Sequence, residues 1–295
     1  MASFDFLALP DGAKIAYEVL GANLLGHRTP VILVCGMAQL RGDWERLSTE
    51  LAQRRPVLVY DHRGIGNSKY SSEFQDDSIT IESLARDLLC LLTHLGWEQV
   101  SICGFSMGGV VAQRLLLLPF PRGIPFRVTR LFLAATRCAV LEDERLGVGY
   151  SAPPSGITRT PEERLEVAKS ILRSTFDRDW LQGNPERFQV LLRRSVANSQ
   201  ARPPKTLLKQ KAALSSFDFV DLLPKLPRET DIVLIHGNLD QVIPLKFGQA
   251  ILGHVPWARM VEVGSAIGQV PSLEFGHHWF EYFDVQVWVG VLDAD

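Results

Sequence analysis

The chain has few cysteines and no cluster of charges of one sign. These two features argue against a cysteine metal site and against a nucleic-acid-binding surface. Its four cysteines are Cys35, Cys90, Cys103 and Cys138, and they show no C-x-x-C pair and no spacing typical of a metal site. They are typical of reduced, buried thiols, so we expect a cytoplasmic protein. The 31 Lys and Arg are balanced by 33 Asp and Glu, and there is no basic tail, which argues against nucleic acid as a main partner.

Long hydrophobic runs are also missing. The longest leucine run, residues 115–118, is far too short to cross a bilayer, and residues 1–10 lack the charged and apolar regions of a secretory signal. We therefore expect no membrane span. The 295 residues, of which 46% are hydrophobic and 22% charged, are enough for one large α/β domain or two small ones.

What the chain does have is an alternation of short apolar runs with helical patterns. The helical pattern over residues 79–95 is the clearest, with Thr80 and Ser83 as candidate cap residues and Gly96 as a stop. This alternation predicts an α/β fold with a mostly parallel, doubly wound central sheet flanked by helices. Apolar runs typical of buried strands cover residues 31–35, 56–60, 100–103, 128–134, 231–236 and 259–263.

The alternation stops between residues 137 and 226, where no strand pattern is found. Three helices are predicted there instead, over residues 161–174 after Thr160, 185–199 after Asn184, and 203–214. We expect a core formed by residues 1–136 and 227–295, with residues 137–226 inserted after the sixth strand as a helical cap over a site at the carboxyl ends of the strands. The excess of Lys and Arg in this segment is typical of a solvated face.

The most informative motif is a G-x-S-x-G pentapeptide, Gly104-Phe105-Ser106-Met107-Gly108, placed where a strand should end and a helix begin. Such a turn holds its serine in a strained backbone conformation with Oγ exposed, and its glycines avoid collisions with the neighbouring elements. Ser106 is therefore the candidate nucleophile, although a serine that merely tolerates a tight turn is the alternative. A serine hydroxyl is a weak nucleophile near pH 7 and needs a general base.

Four further segments have an order and spacing that fit this turn. They are the strand and turn at 31–37, the D-x-R-G-x-G-x-S turn at 61–68, the helix–strand–turn–helix unit at 84–113, and the H-G-x-x-D-x-x-x-P segment at 236–244. With these segments the chain resembles the α/β-hydrolase superfamily, in its serine-nucleophile branch with a helical cap, over nearly its whole length. The resemblance implies that Asp240 is the acid that orients the base, and that the backbone amides of Met37 and Met107 form the oxyanion hole.

The general base has two candidate positions in the sequence. The resemblance implies a histidine in a G-H-x-P-x-x-E segment. Residues 268–274 match the other positions of this segment, but Gln269 occupies the histidine position. The side-chain amide of a glutamine cannot act as a general base. Eight residues later come His277 and His278, which follow the acid as the order of such triads requires. Three interpretations stay open: His277 (alternatively His278) reaches Ser106 as the base, the triad has lost its base, or both histidines only pack the last helix.

The leading hypothesis is a serine hydrolase that cleaves a small to medium, rather apolar carboxylic ester or thioester through an acyl-enzyme. It implies a small-molecule substrate and no metal or organic cofactor, and it leaves the oligomeric state open. Gly36, Phe105 and Trp180 are the candidate residues of the substrate pocket. The alternatives are a catalytically impaired binding protein of the same fold, a carbon–carbon bond hydrolase, and a cofactor-free enzyme similar to a peroxidase.

Overall fold

An eight-stranded sheet forms the centre of the computed structural model, which describes residues 4–119, 124–143, 145–151 and 159–294. The order of the strands is β1-β2-β4-β3-β5-β6-β7-β8. Their bounds are β1 (Asp5–Ala8), β2 (Lys14–Leu20), β3 (Val31–Val34), β4 (Val57–Tyr60), β5 (Gln99–Phe105), β6 (Arg127–Ala134), β7 (Asp231–Ile235) and β8 (Arg259–Met260).

Most of the sheet is parallel, as the alternation of strands and helices predicts. Strands β3 to β8 pair in parallel, whereas β1 and β2 form an antiparallel edge that joins the rest through β4. The sequence reading missed β1 and β2, because β1 is mostly exposed and β2 has no continuous apolar run. It also made the last strand too long, since only Arg259–Met260 pairs with β7.

Helices cover both faces of the sheet. Leu84, Val110 and Ile251 belong to a buried apolar cluster on one face, and Leu47 and Trp288 belong to a second cluster on the other. No helix in the described part of the chain is long and apolar enough to span a membrane. The helices found in the same residues are α1 (Glu45–Leu51), α2 (Ile81–Leu95), α3 (Met107–Leu116), α4 (Pro161–Ser174), α5 (Arg178–Gly183), α6 (Pro185–Ala197), α7 (Pro204–Ala213), α8 (Leu245–His254) and α9 (Val285–Asp293).

Among the described residues between β6 and β7, the three helices expected from the sequence are found as α4, α6 and α7. Thr160 caps α4 as expected, because its hydroxyl accepts the Glu163 backbone N–H at 3.2 Å and the Glu163 carboxylate accepts the Thr160 N–H at 2.8 Å. Asn184 does not cap α6, because its side-chain amide donates to the Trp180 carbonyl at 3.0 Å. That carbonyl belongs to the short helix α5, which the sequence analysis did not predict.

Candidate active site

The turn between β5 and α3 holds Ser106 in an uncommon backbone conformation. Its φ of 53° and ψ of −117° are costly for a residue with a side chain, and the surrounding packing must maintain them. The backbone is tied on both sides, because the Ser106 N–H donates to the Ala134 carbonyl at 2.9 Å and the Thr136 hydroxyl donates to the Ser106 carbonyl at 2.7 Å. A Cβ on Gly108 would lie 2.2 Å from the Val34 carbonyl oxygen. The turn thus fixes the serine oxygen at the carboxyl end of the sheet.

His277 lies between Ser106 and Asp240 and contacts both side chains. Its Nε2 is 3.2 Å from the Ser106 Oγ, and its Nδ1 is 2.8 Å from the Asp240 Oδ2. An ionised carboxylate only accepts hydrogen bonds, so Nδ1 carries the proton and donates to Asp240. This tautomer leaves the lone pair of Nε2 free to accept the serine hydroxyl proton. All three side chains are buried.

Asp240 lies in the loop after β7, and its carboxylate is held by several donors. Its Oδ1 accepts the backbone N–H groups of Val242 and Ile243 at 2.9 and 2.8 Å. Burial raises the pKa of the Asp240 carboxyl, but the charge of His277 and hydrogen bonds from His236 and His277 outweigh burial and bring the pKa well below its usual value. The carboxylate is therefore ionised throughout the neutral range.

Two backbone amides near Ser106 have no hydrogen-bond acceptor among the described residues. Met107 is the first residue of α3, where backbone N–H groups lack a partner within the helix. Met37 lies between two amides that are occupied, since Gly36 donates to the Gln39 side chain at 2.8 Å and Ala38 donates to Gln210 at 3.0 Å. The amides of Met37 and Met107 thus remain available as donors beside the serine.

The loop that contains Met37 is held by residues of the inserted segment. Ala38 has a φ of 62°, which an alanine rarely adopts. Its N–H is bound by Gln210 of α7, and its carbonyl accepts the Arg202 Nε at 2.7 Å. Arg202 is fixed in turn by Asp43, whose Oδ2 lies 2.8 Å from Nη2. Sequence analysis missed these contacts, because Gln210 lies 172 positions from Ala38 and belongs to no motif.

A cavity of about 410 Å³ opens above the serine. Gly36, Phe105, Ser106 and His277 line it from the sheet side, and α4 and α6 line the opposite side. Gly36 and Phe105 thus lie where the sequence analysis expects pocket residues.

Trp180, the third residue expected in the pocket, does not line the cavity, and that expectation is wrong. Its indole ring stacks on Phe176 with ring centroids 3.8 Å apart, and its Nε1 donates to the Glu281 carbonyl at 3.3 Å. These contacts hold Trp180 in the core below the cavity wall.

His278, the alternative base, has no hydrogen bond to Ser106 or Asp240 in the described structure. Its ring packs against Phe176 and Phe105, with centroids 5.3 and 5.6 Å away. Burial, followed by the charge of neighbouring His277, lowers the pKa of His278 to about 3. The ring is therefore neutral at neutral pH and lines the cavity as an aromatic wall.

Gln269 lies away from the cavity and closes a loop of its own. Its Nε2 donates to the Glu262 carboxylate at 3.1 Å, and its Oε1 accepts the Ala266 N–H at 3.1 Å. The comparison of residues 268–274 with the histidine segment of the superfamily therefore misplaced the position of the base. The loop after β8 is longer than the superfamily segment implies, and the histidine that contacts Asp240 is His277.

The comparisons with known proteins support the observed fold. Residues 29–264 match the family model described as the alpha/beta hydrolase fold. The chain belongs to this family. Within the described residues, no group of three or more His, Cys, Asp or Glu side chains is arranged to hold a metal ion.

Several relatives in this family are similar over most of their length. A pimeloyl-[acyl-carrier protein] methyl ester esterase from Nitrosomonas europaea is 28% identical over 271 residues, which cover 88% of this chain and 96% of that protein. A putative carbamate hydrolase RutD from Caulobacter segnis is 24% identical, with 84% and 87% covered. The structure of an esterase from Exiguobacterium antarcticum has a TM-score of 0.71 at 23% identity, with 99% and 100% covered, a likeness that shows the shared fold.

Proposed function

We propose that this chain is a serine hydrolase that cleaves a carboxylic ester or thioester through an acyl-enzyme. The observation that carries the proposal is the position of the His277 ring, 3.2 Å from Ser106 and 2.8 Å from Asp240. The chain is a hydrolase that acts on esters, as its relatives named for ester hydrolysis support. The scissile bond and the two steps below are proposed from the arrangement of the residues.

In the first step, the Ser106 oxygen attacks the carbonyl carbon of the ester while its proton passes to Nε2 of His277. The carbonyl oxygen gains negative charge and is held by the amides of Met37 and Met107, the latter at the positive end of α3. The bond to the leaving alcohol then breaks, and the alcohol takes the proton from Nε2. The acyl group is left on Ser106.

In the second step, water attacks the acyl carbon and gives its proton to His277. The bond to Ser106 breaks, the serine oxygen recovers the proton from Nε2, and the carboxylic acid leaves. In both steps Asp240 keeps its charge and stabilises the imidazolium form of His277. The low pKa of Asp240 serves this role, because a neutral acid would hold the ring without stabilising its charge.

The cavity supports a small to medium, rather apolar substrate. Its outer wall consists largely of apolar side chains from α4 and α6, among them Ile171, Leu172 and Leu191. We propose that residues 137–226 form a cap over the core of residues 1–136 and 227–295, and that this cap excludes water and limits the substrate's size. The binding-protein alternative rested on Gln269, and Gln269 makes no contact with the proposed triad.

The test is hydrolysis of 4-nitrophenyl esters together with mass spectrometry of the trapped acyl-enzyme. We expect an acyl adduct on Ser106 and a fall in kcat of about 10⁴-fold or more in Ser106→Ala. Ser216→Ala is the control, because its exposed hydroxyl only donates to the Ala212 carbonyl. A Ser106→Ala variant that hydrolyses the ester as fast as the wild type would overturn the proposal.

A further inference from the structure

One face of α4 runs along the cavity from the catalytic end outward. Thr175, the residue after the helix, marks the catalytic end, because its carbonyl accepts the His278 backbone N–H at 3.4 Å. Arg164 lies eleven residues earlier, which places it about 16 Å away along the helix axis at a rise of about 1.5 Å per residue. The lining residues of this face are Arg164, Val167, Ala168, Ile171, Leu172 and Thr175.

Two arginines meet at the far end of this face. Arg164 donates from Nη1 to the carbonyl of Arg159 at 3.2 Å, and both residues line the cavity. The Arg159 guanidinium donates to the Ser151 carbonyl and lies over the Tyr150 ring, 5.6 Å from its centroid. Neither guanidinium forms an ion pair with a carboxylate in the described parts of the chain.

The carboxylates that line the same cavity are already paired. Asp43 lies 2.8 Å from Arg202 and 3.7 Å from Arg194, and Glu281 forms two 2.8 Å bonds to Arg187. Their negative charge is therefore balanced locally.

At the far end of the α4 face, the nearby charge is that of the exposed Glu162, whose pKa is lowered by hydrogen bonds to its own backbone and to Thr160 and by the charge of Arg164. Because Glu162 forms no ion pair with either guanidinium in the described structure, a guanidinium beside the apolar cavity can still gain from an anionic partner.

We propose that the substrate's acyl chain is apolar where it lies along α4 and ends in a carboxylate that Arg164 and Arg159 bind. This inference rests on the proposed esterase function and narrows its substrate class. The apolar stretch between Ser106 and Arg164 buries the hydrocarbon chain, and the planar guanidinium donors fit both carboxylate oxygens. The distance along α4 makes the site selective for chain length, because a short acyl chain leaves its carboxylate short of Arg164.

The experiment compares two series of chromogenic esters on the full-length protein. The first contains 4-nitrophenyl hemiesters of saturated dicarboxylic acids of increasing length, and the second contains 4-nitrophenyl alkanoates with the same number of carbons. We expect kcat/KM to favour the hemiester by about tenfold or more at the lengths that span the cavity, since a hydrogen bond to a charged group contributes on that order. At short lengths the preference disappears or reverses.

Substitutions in α4 assign the preference to Arg164. We expect Arg164→Gln to lower kcat/KM for the long hemiester about tenfold, mainly by raising KM. For the alkanoate of the same length, kcat/KM should stay within about twofold of the wild type. Arg164→Lys keeps the positive charge but lacks the planar pair of guanidinium donors. We therefore expect it to keep only part of the preference for the hemiester. Arg173→Gln is the matched control, because Arg173 belongs to the same helix but is exposed and lies outside the cavity.

Two results would overturn this inference while leaving the proposed function intact. One is equal kcat/KM for hemiesters and alkanoates at every length, in a protein whose activity depends on Ser106. The other is the same loss of hemiester preference in Arg164→Gln and Arg173→Gln. If the wild type hydrolyses neither series, or if Ser106→Ala hydrolyses both, the proposed function itself fails.

Discussion

Helix α3 begins directly after Ser106 and helix α4 lines the cavity, and the two are packed very differently. Eight of the ten residues of α3 are buried, whereas Ala168 is the buried residue of the 14-residue α4. The first helix follows the serine turn and packs against the sheet, while the second lies over the cavity with half of its residues exposed. From this difference we expect the reaction step to depend on the close packing around α3, and substrate choice to depend on the α4 face that lines the cavity.

The largest expected effect tests the packing half of this comparison. Gly108→Ala places a Cβ 2.2 Å from the Val34 carbonyl oxygen, so we expect the free energy of unfolding to fall by about 3 kcal/mol or more. Gly183→Ala, at the end of α5, is the control, because its Cβ meets nothing within 4 Å. We expect it to stay within about 1 kcal/mol of the wild type in urea denaturation. If both variants lose the same free energy of unfolding, the turn before α3 is not packed more tightly than the inserted helices.

The next effect concerns His278, which stays neutral in the folded protein. Its pKa of about 3 lies below the value of about 6.5 in the unfolded chain, so acid protonates the unfolded state first and destabilises the fold. Between pH 7 and pH 5, His278 should lower the free energy of unfolding by about 2 kcal/mol. Urea denaturation of the wild type and His278→Gln at both values checks this. If both proteins lose the same stability, His278 does not carry the effect.

A smaller effect tests whether the insertion contributes to the reaction step. Gln210→Leu removes the acceptor of the Ala38 N–H and loosens the loop that presents the Met37 amide. We expect kcat to fall by about tenfold with KM nearly unchanged, because the oxyanion forms only during the reaction. Leu208→Ala, on the exposed side of the same helix, should leave both constants within about twofold. A rise in KM with kcat unchanged would instead assign Gln210 to substrate binding.

The smallest expected effect is at Gln269. Gln269→His restores the superfamily's usual residue but places it in a loop that closes on Glu262, outside the cavity. We expect ester hydrolysis within about twofold of the wild type, and no recovery of activity when this change is added to His277→Ala. Recovery in the double variant would mean that the loop can carry the base after all.

Much of the fold could be predicted from sequence, because buried parallel strands and helices with caps leave strong local patterns. Thr160 and the proline after it mark the start of α4, and the structure has the capping box there. The hairpin β1–β2 was missed, because β1 is a mostly exposed edge strand and the apolar residues of β2 are interrupted by Glu18.

The site was less predictable, since its parts come from distant segments. Ser106 and Asp240 belong to local motifs, so the sequence singled them out. The positions of His277 and Gln269 depend on how a loop folds back, which the residue pattern did not indicate. Arg164 was taken as part of a solvated face, because charge alone does not tell which side of a helix faces a cavity.

The rate at which a fluorophosphonate probe labels Ser106 measures how strongly His277 activates that serine. We expect rapid labelling of Ser106 in the wild type, a fall of about 10³-fold or more in His277→Ala, and a rate within about tenfold of the wild type in His278→Gln. If His277→Ala is labelled as fast as the wild type, or if His278→Gln loses more than His277→Ala, then His277 does not activate Ser106.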